Sequence, residues 1–329
     1  MRKFVIRRLL LGLFITFFGA MIVYAVIRCL PSSYVETIAR QRASNPASNK
    51  TFQEWLAQLN AVYGLDIGII PGFFKWVGNA IVGDFGESWQ YGIPVTQKFN
   101  QVIGWSVLMN IVTLLVEVVI AIPLGILAAR KQYSKTDYAV TVFALMGISL
   151  PTFFLATILK YIFSIKLGWF DLYGLTGRFH SSMNSFQQIL DYGNHLVLPC
   201  ITLMMLSIGG LMRYTRTNML EVLSADYIRT ARAKGLPEKT VINKHAFRNT
   251  LIPLVTYMSY LLPSMFGGAL ITETLFQIPG IGYVAYDAMI RGDIPFAMFY
   301  TTFLIILTQL SLMLADIMYA IVDPRVRVN

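Results

Sequence analysis

Residues 103–129, "IGWSVLMNIVTLLVEVVIAIPLGILAA", carry a single charged side chain, Glu117. A helix crosses the hydrocarbon core of a bilayer with about 20 largely apolar residues, so the stretch reads as a membrane span with a carboxylate near its middle. Working outward, uncharged runs recur at Leu9–Ile27, Ala139–Leu159, Leu196–Met212, Asn249–Thr272 and Ile294–Ala315. Of the 329 residues, 56% are hydrophobic and only 13% charged, far from the usage of soluble domains. The runs together predict an all-α integral membrane protein with six transmembrane helices.

The first run follows Arg2, Lys3, Arg7 and Arg8, which would also suit a secretory signal. It is longer than the apolar part of such a signal, about 7–15 residues, and no small-x-small cleavage site follows. A span ending in "RCLPSSY" (28–34) is expected instead. The net charge of +10 reports orientation before it reports a ligand. Alternating six spans puts 1–8, 130–138, 213–248 and 316–329 on one side with 17 Lys and Arg in 67 residues, against 10 in 132 on the other. Positive excess marks the cytoplasmic side, so both termini and residues 213–248 are expected there.

Between the first two spans, "TFQEWLAQLNAVYGL" (51–65) sets Phe52, Trp55, Leu56, Leu59 and Val62 at helical spacing. The Gly- and aromatic-rich stretch that follows suggests a folded cap at the membrane interface. Within 103–129, Ala121, Gly125 and Ala129 form a small-residue stripe where another helix can approach closely. Pro123 and Pro151 interrupt the second and third spans, a placement tolerated inside a helical bundle. In the last outer loop, "ETLFQIPGIGYVAYDAMIRGDIP" (273–295), "PGIG" predicts a turn. Tyr283–Ile290 then predicts a short interfacial helix with Ile281, Val284 and Ala288 on one side. So apolar a loop is expected to dip toward the mouth of the bundle.

No enzyme constellation emerges. His180, His195 and His245 lack metal-ligand spacing, and Cys29 and Cys200 read as two small buried hydrophobes. No glycine precedes a lysine, which excludes a P-loop. Catalytic, cofactor and metal residues are therefore expected to be absent. Among intramembrane charges, Lys160 is expected to snorkel outward and Asp316 to reach the cytoplasmic interface. Glu117 reads either as a structural hydrogen-bonding group or as part of a substrate path.

The stretch "ADYIRTARAKGLPEKTVINKHAFRNTLIP" (225–253) has six Lys or Arg against two acids. Leu220, Leu223, Tyr227, Ile228 and Ala231 predict a helix over 217–234, with Gly235 as a left-handed cap. Pro237 and Glu238 suit the first turn of a second helix, running to about Asn249. Anionic lipid, nucleic acid or a cytoplasmic protein could each use such a corner. Small residues at Ala231 and Gly235 favour close approach by a protein.

With "GDFGES", "IPLGILAA", "SLPTFF", "DYIRTARAKGL", "ETLFQIPGIGY" and "YAIVDPRVR" in order, the chain resembles permease subunits of bacterial ABC importers, in their peptide and nickel branch. It is similar to the B-type subunit of oligopeptide and dipeptide importers. Where the wider family has Glu-Ala-Ala, this chain has Arg229, Thr230 and Ala231, so no glutamate's role is carried over.

The resemblance implies a type I importer permease. Residues 1–30 would hold the N-terminus and first span, 31–102 an extracytoplasmic cap, and 103–329 a five-span core with a coupling loop at 213–250. Asp226, Arg229, Ala231, Lys234, Gly235, Leu236 and Pro237 would contact an ATPase, while Glu117, Glu273, Pro279 and Gly280 are candidates for path or gate. Implied partners are a homologous C-type permease, two cytoplasmic ATPase subunits carrying ATP and Mg, and an extracytoplasmic binding protein, at a bacterial inner membrane. Nickel or oligosaccharide import, a self-sufficient secondary transporter and a membrane-anchored nucleic-acid binder are the alternatives.

Overall fold

A chain surrounded by lipid must satisfy its backbone polar groups internally, and helices do so within one segment. The computed structural model describes residues 2–29, 34–46 and 48–322, so the stop expected at "RCLPSSY" falls partly, and the final "DPRVR" wholly, outside the described residues. Among the described residues there is no strand, only an isolated bridge between Glu87 and Pro94. The helices are α1 (Arg2–Arg28), α2 (Tyr34–Ala43), α3 (Phe52–Val62), α4 (Ile69–Ile81), α5 (Val95–Arg130), α6 (Lys135–Ser149), α7 (Thr152–Leu159) and α8 (Ser185–Ser224). They continue as α9 (Asp226–Ala233), α10 (Glu238–Thr240), α11 (Phe247–Ser259), α12 (Leu262–Phe266), α13 (Leu270–Phe276), α14 (Ile281–Arg291) and α15 (Ile294–Val322). Lys160–Lys166 and Val241–Ala246 are π-helical turns.

Among the described residues, four helices are long and apolar enough to cross a membrane: Ile6–Arg28, Val95–Arg130, Ser185–Ser224 and Ile294–Asp316. Six are reached if two bent pairs count as one span each. The expected straight third span is one of these pairs, Lys135–Ser149 and Thr152–Lys166, which meet at 103°. Pro151 cannot donate a backbone hydrogen bond and drives Leu150 into extended backbone (ψ 131°), so the helix stops and restarts in a new direction. Pro123, by contrast, lies inside an unbroken α5. The expected fifth span is the other pair, Glu238–Phe266 and Leu270–Phe276, bent by 48°.

The chain forms two compact units, Met1–Gly104 with Ile281–Leu310, and Trp105–Gly280 with Ser311–Asn329. In the first, Val35 and Ala39 of α2 bury against Leu59 of α3, with Phe52, Trp55 and Leu56 packed on the cluster. A capping box between Thr51 and Glu54 starts α3. Val62 departs from the helical-face reading: it ends the helix and is 71% exposed. Cys29 is exposed as well, so it is not the buried hydrophobe the sequence suggested. Ile281, Val284 and Ala288 of α14 pack on Val95, Phe99 and Val102, as the spacing of that loop predicts.

Asp293 is the polar hub of this unit. Fully buried, its carboxylate accepts from Ser88 Oγ, from the N–H groups of Trp89 and Gln90 (3.2 Å each), and from Phe296 N at 3.3 Å. The last bond caps the start of α15. Six residues earlier, the Asp287 carboxylate accepts from Gln90 Nε2 and from Arg291 Nε at 2.8 Å. Burial, with Asp287 beside it, pushes the Tyr91 phenol up to about 12.

In the second unit, α8 is the axis. The stripe on α5 meets it as expected: Ala121 and Ala129 are buried, and a methyl group on Gly125 would lie 2.7 Å from Met212 O. On another side α6 approaches equally closely. A methyl on Gly209 would collide with Ala144 O and Ile148, and one on Gly147 with Met205 O. Arg216 of α8 makes a two-pronged ion pair with the buried Asp137 of α6, both contacts at 2.8 Å. Lys160 does not snorkel outward. Its ammonium donates to Leu275 O at 2.6 Å and sits over the Tyr173 ring, where the carbonyl end of α13 favours a cation.

Candidate functional site

Two features of the second unit can do functional work, and the first is the basic corner. The sequence predicts one helix over 217–234, but Ala225 is extended (φ −70°, ψ 148°) and divides it. Residues 217–224 are the tail of α8, and α9 is a separate two-turn helix. Its inward residues, Ile228 and Ala231, bury against Met219, Val241, Ile242 and Ala246. Ala231 is thus occupied by its own chain and inaccessible to a partner, which corrects the expectation drawn from its small size. Gly235 has φ +75°, and a methyl group added to it would meet open space, so its role is conformational rather than one of close approach. Pro237 then opens the next helix as its N-cap.

The remaining predicted residues face outward. Asp226, Arg229, Lys234 and Leu236 are exposed, together with Tyr227. Arg229 and Asp226 make only a loose 3.5 Å pair. A contact the sequence reading missed closes the turn: Arg232 donates to both Glu238 oxygens, at 3.2 and 2.8 Å. That carboxylate raises the Arg232 pKa above its ordinary value. The signal was an acid six residues beyond an arginine across a Gly-Leu-Pro turn. The corner presents Tyr227 on α9 and Leu236 in the turn that follows it, amid basic side chains.

The second feature is a cavity of about 420 Å³ whose lining includes Asn110, Thr113, Glu117, Ser207, Tyr257 and Ser264. Glu117 is 4% exposed and, among the described residues, accepts one hydrogen bond, from Ser207 Oγ at 2.8 Å. The sequence singled out Glu117 but not its companions, which are ordinary polar residues until α8 and α11 bring them to one wall.

Glu273, Pro279 and Gly280 form a separate corner away from that wall. Ser106 Oγ and Ala269 N donate to Glu273 Oε1 at 2.7 and 2.9 Å. A methyl on Gly280 would strike the Glu273 carboxylate, whereas Pro279 is exposed. The path and gate candidates are therefore two sites. His180 and His195, unrelated by sequence spacing, both reach Asp191.

Four helices long and apolar enough to cross a membrane, or six with the two bent pairs, define a polytopic membrane protein. The chain belongs to the family of binding-protein-dependent transport system inner membrane components, whose family model matches residues 121–328. It is 35% identical over 327 residues to the oligopeptide transport system permease protein AppB of Bacillus subtilis (strain 168), covering 99% of both chains. It is 31% identical over 327 residues to the "Probable peptide ABC transporter permease protein y4tP" of Sinorhizobium fredii, covering 99% of this chain and 100% of that one. The chain is thus a multi-pass membrane permease.

Proposed function

We propose that this protein is one half of the pore of an ATP-driven peptide importer, and that the 225–237 corner is where a cytoplasmic ATPase takes hold. The observation that carries the reading is the build of α9. Ile228 and Ala231 fix it to the chain's own next helix while Tyr227, Arg229, Lys234 and Leu236 remain outside. Such a helix offers a partner side chains to grip and moves as a body. The names of AppB and y4tP, both peptide permeases, support peptides as cargo. Nickel has no such support.

In this reading the two bent pairs are spans, giving six in all, and both termini lie in the cytoplasm. Residues 31–102 form the extracytoplasmic cap of a pore shared with a homologous C-type permease. A binding protein delivers the peptide, and ATP and Mg are held by two partner ATPase subunits. Glu117, in the 420 Å³ cavity, offers a carboxyl group to the ammonium end of a passing peptide.

The test begins with purification in mild detergent and identification of the chains that accompany this one. A co-purifying ATPase stimulated by peptide-loaded binding protein, and not by nickel, is expected. Absence of any ATPase partner would overturn the reading. Gly235→Val forces a β-branched residue into φ +75°, a strain of about 1–3 kcal/mol, and should uncouple ATP hydrolysis from uptake. Normal uptake by that variant would remove the corner from the mechanism.

A further inference from the structure

At the opposite end of α8 from the basic corner, the chain between α7 and α8 folds back onto the helix. Three side chains converge there: Asp171 from the connecting segment, and Asp191 and His195 from successive turns of α8. One ligating atom from each lies within 4.8 Å of the others. We infer that Asp171, Asp191 and His195 form a binding site for a divalent transition-metal ion of the zinc class, stapling the 167–184 segment to α8.

The protonation pattern of His195 is the first argument. Its ring is buried, with the side chain 1% exposed, and Nδ1 lies 2.8 Å from the carbonyl oxygen of Asp191. A carbonyl can only accept, so the Nδ1 side of the ring is the donor, and Nε2 is the nitrogen through which a neutral ring would ligate. A backbone carbonyl fixing the far nitrogen of a ligating histidine is a recurring outer-shell arrangement at metal sites. Asp171 Oδ2 lies 3.7 Å from Nε2. This is too long for a hydrogen bond. Ligands about 2.0–2.2 Å from a tetrahedral zinc ion stand roughly 3.3 Å apart, so a small side-chain rotation suffices.

The carboxylates supply the second argument. Among the described residues neither Asp171 nor Asp191 pairs with a lysine or arginine. Asp191 is instead held in place. Gly177 N donates to it at 3.0 Å, and His180 Nδ1 lies 2.6 Å from its Oδ2. Asn194 positions Asp171 by accepting from its backbone N–H at 2.9 Å, while donating to Trp169 O at 3.2 Å. Each ligand thus has an orienting partner, and the two carboxylates flank the ring, Asp171 Oδ2 at 3.7 Å from Nε2 and Asp191 Oδ1 at 3.6 Å from Nδ1, with one ligating atom of each residue inside the 4.8 Å cluster. One imidazole and two carboxylates suit zinc and neighbouring first-row divalent ions. A cleft of about 370 Å³ reaches the two carboxylates, lined by Asp171, Asp191, Gln187 and Asn194 but not by the buried His195.

The experiment uses the untagged full-length chain in detergent, stripped with a chelator and titrated with Zn²⁺ against a chromogenic competitor. One ion per chain is expected, with a rise in thermal midpoint. Asp171→Asn is the decisive variant, because the side chain is 55% exposed and the fold does not lean on it. It should weaken zinc at least tenfold and abolish the thermal shift, as should His195→Gln if that variant folds. His245→Asn, outside the cluster, should bind as the parent does. No saturable uptake by the parent chain, or uptake unchanged by Asp171→Asn, would overturn the site.

Discussion

Asp293 and Glu117 are both buried carboxylates, yet they are built for opposite ends. Asp293 accepts from a serine hydroxyl and three backbone N–H groups. Its negative charge is saturated where it stands. Glu117 accepts from Ser207 and otherwise borders a cavity of about 420 Å³. A buried polar group is costly unless partnered, so a partly partnered carboxyl leaves room for a further donor. Burial alone does not distinguish the two carboxylates; the count of donors does.

The comparison breaks most visibly at Asp293. Asp293→Ala leaves buried donors without an acceptor and removes the cap of α15, a loss of about 3 kcal/mol or more. Thermal unfolding in detergent should show it as a large drop in midpoint, and an unchanged midpoint would dismiss the hub. Glu117→Gln sharpens the contrast from the other side. The amide can still accept from Ser207, so stability should move by no more than about 0.5 kcal/mol. Peptide uptake should nonetheless fall about tenfold, equivalent to about 1.4 kcal/mol. Normal uptake kinetics would return Glu117 to a structural role.

The smallest effect lies in Asp287, beside the hub. Burial alone would raise its pKa, but the hydrogen bonds from Gln90 and Arg291 prevail and hold it below the usual carboxylate range. A lowered folded-state pKa stabilises the protein above the unfolded value of about 3.9. That contribution is lost as pH falls through the lowered value. Asp287→Asn should therefore lose less stability than the parent chain between about pH 4 and the acid limit. Parallel acid-unfolding curves would contradict it.

Much of the fold is legible in hydropathy because lipid imposes one rule on every span, and the stripe at Ala121, Gly125 and Ala129 is legible because close packing demands small residues. Other features depend on context that periodicity does not carry. Pro123 and Pro151 are alike in sequence, yet the first sits in an unbroken helix and the second turns the chain through 103°. Which happens depends on what neighbours supply to the freed backbone. Ala231 shows a similar limit. A small residue beside a turn fits a partner's surface or the chain's own second helix equally well, and only the position of Ile242 and Ala246 decides. Asp293 announced itself faintly, as an acid directly before Ile-Pro at a helix start, whereas the meeting of Asp171 with His195 left no trace in spacing.

The break at Ala225 makes the attachments of α9 unequal. Toward α8 the chain passes through one extended residue, a compliant joint that can absorb rotation. Toward the fifth apolar run the chain crosses the Lys234–Pro237 turn, closed by the Arg232–Glu238 pair, and helical backbone then continues from residue 238 to 259 through a π-helical turn. Tyr257, on the cavity wall, lies roughly 29 Å along that path at 1.5 Å per residue. In the proposed coupling role, a displacement of α9 would reach the 238–259 helix through the Arg232–Glu238 ion pair and the packing of Ile228 and Ala231 on Val241, Ile242 and Ala246.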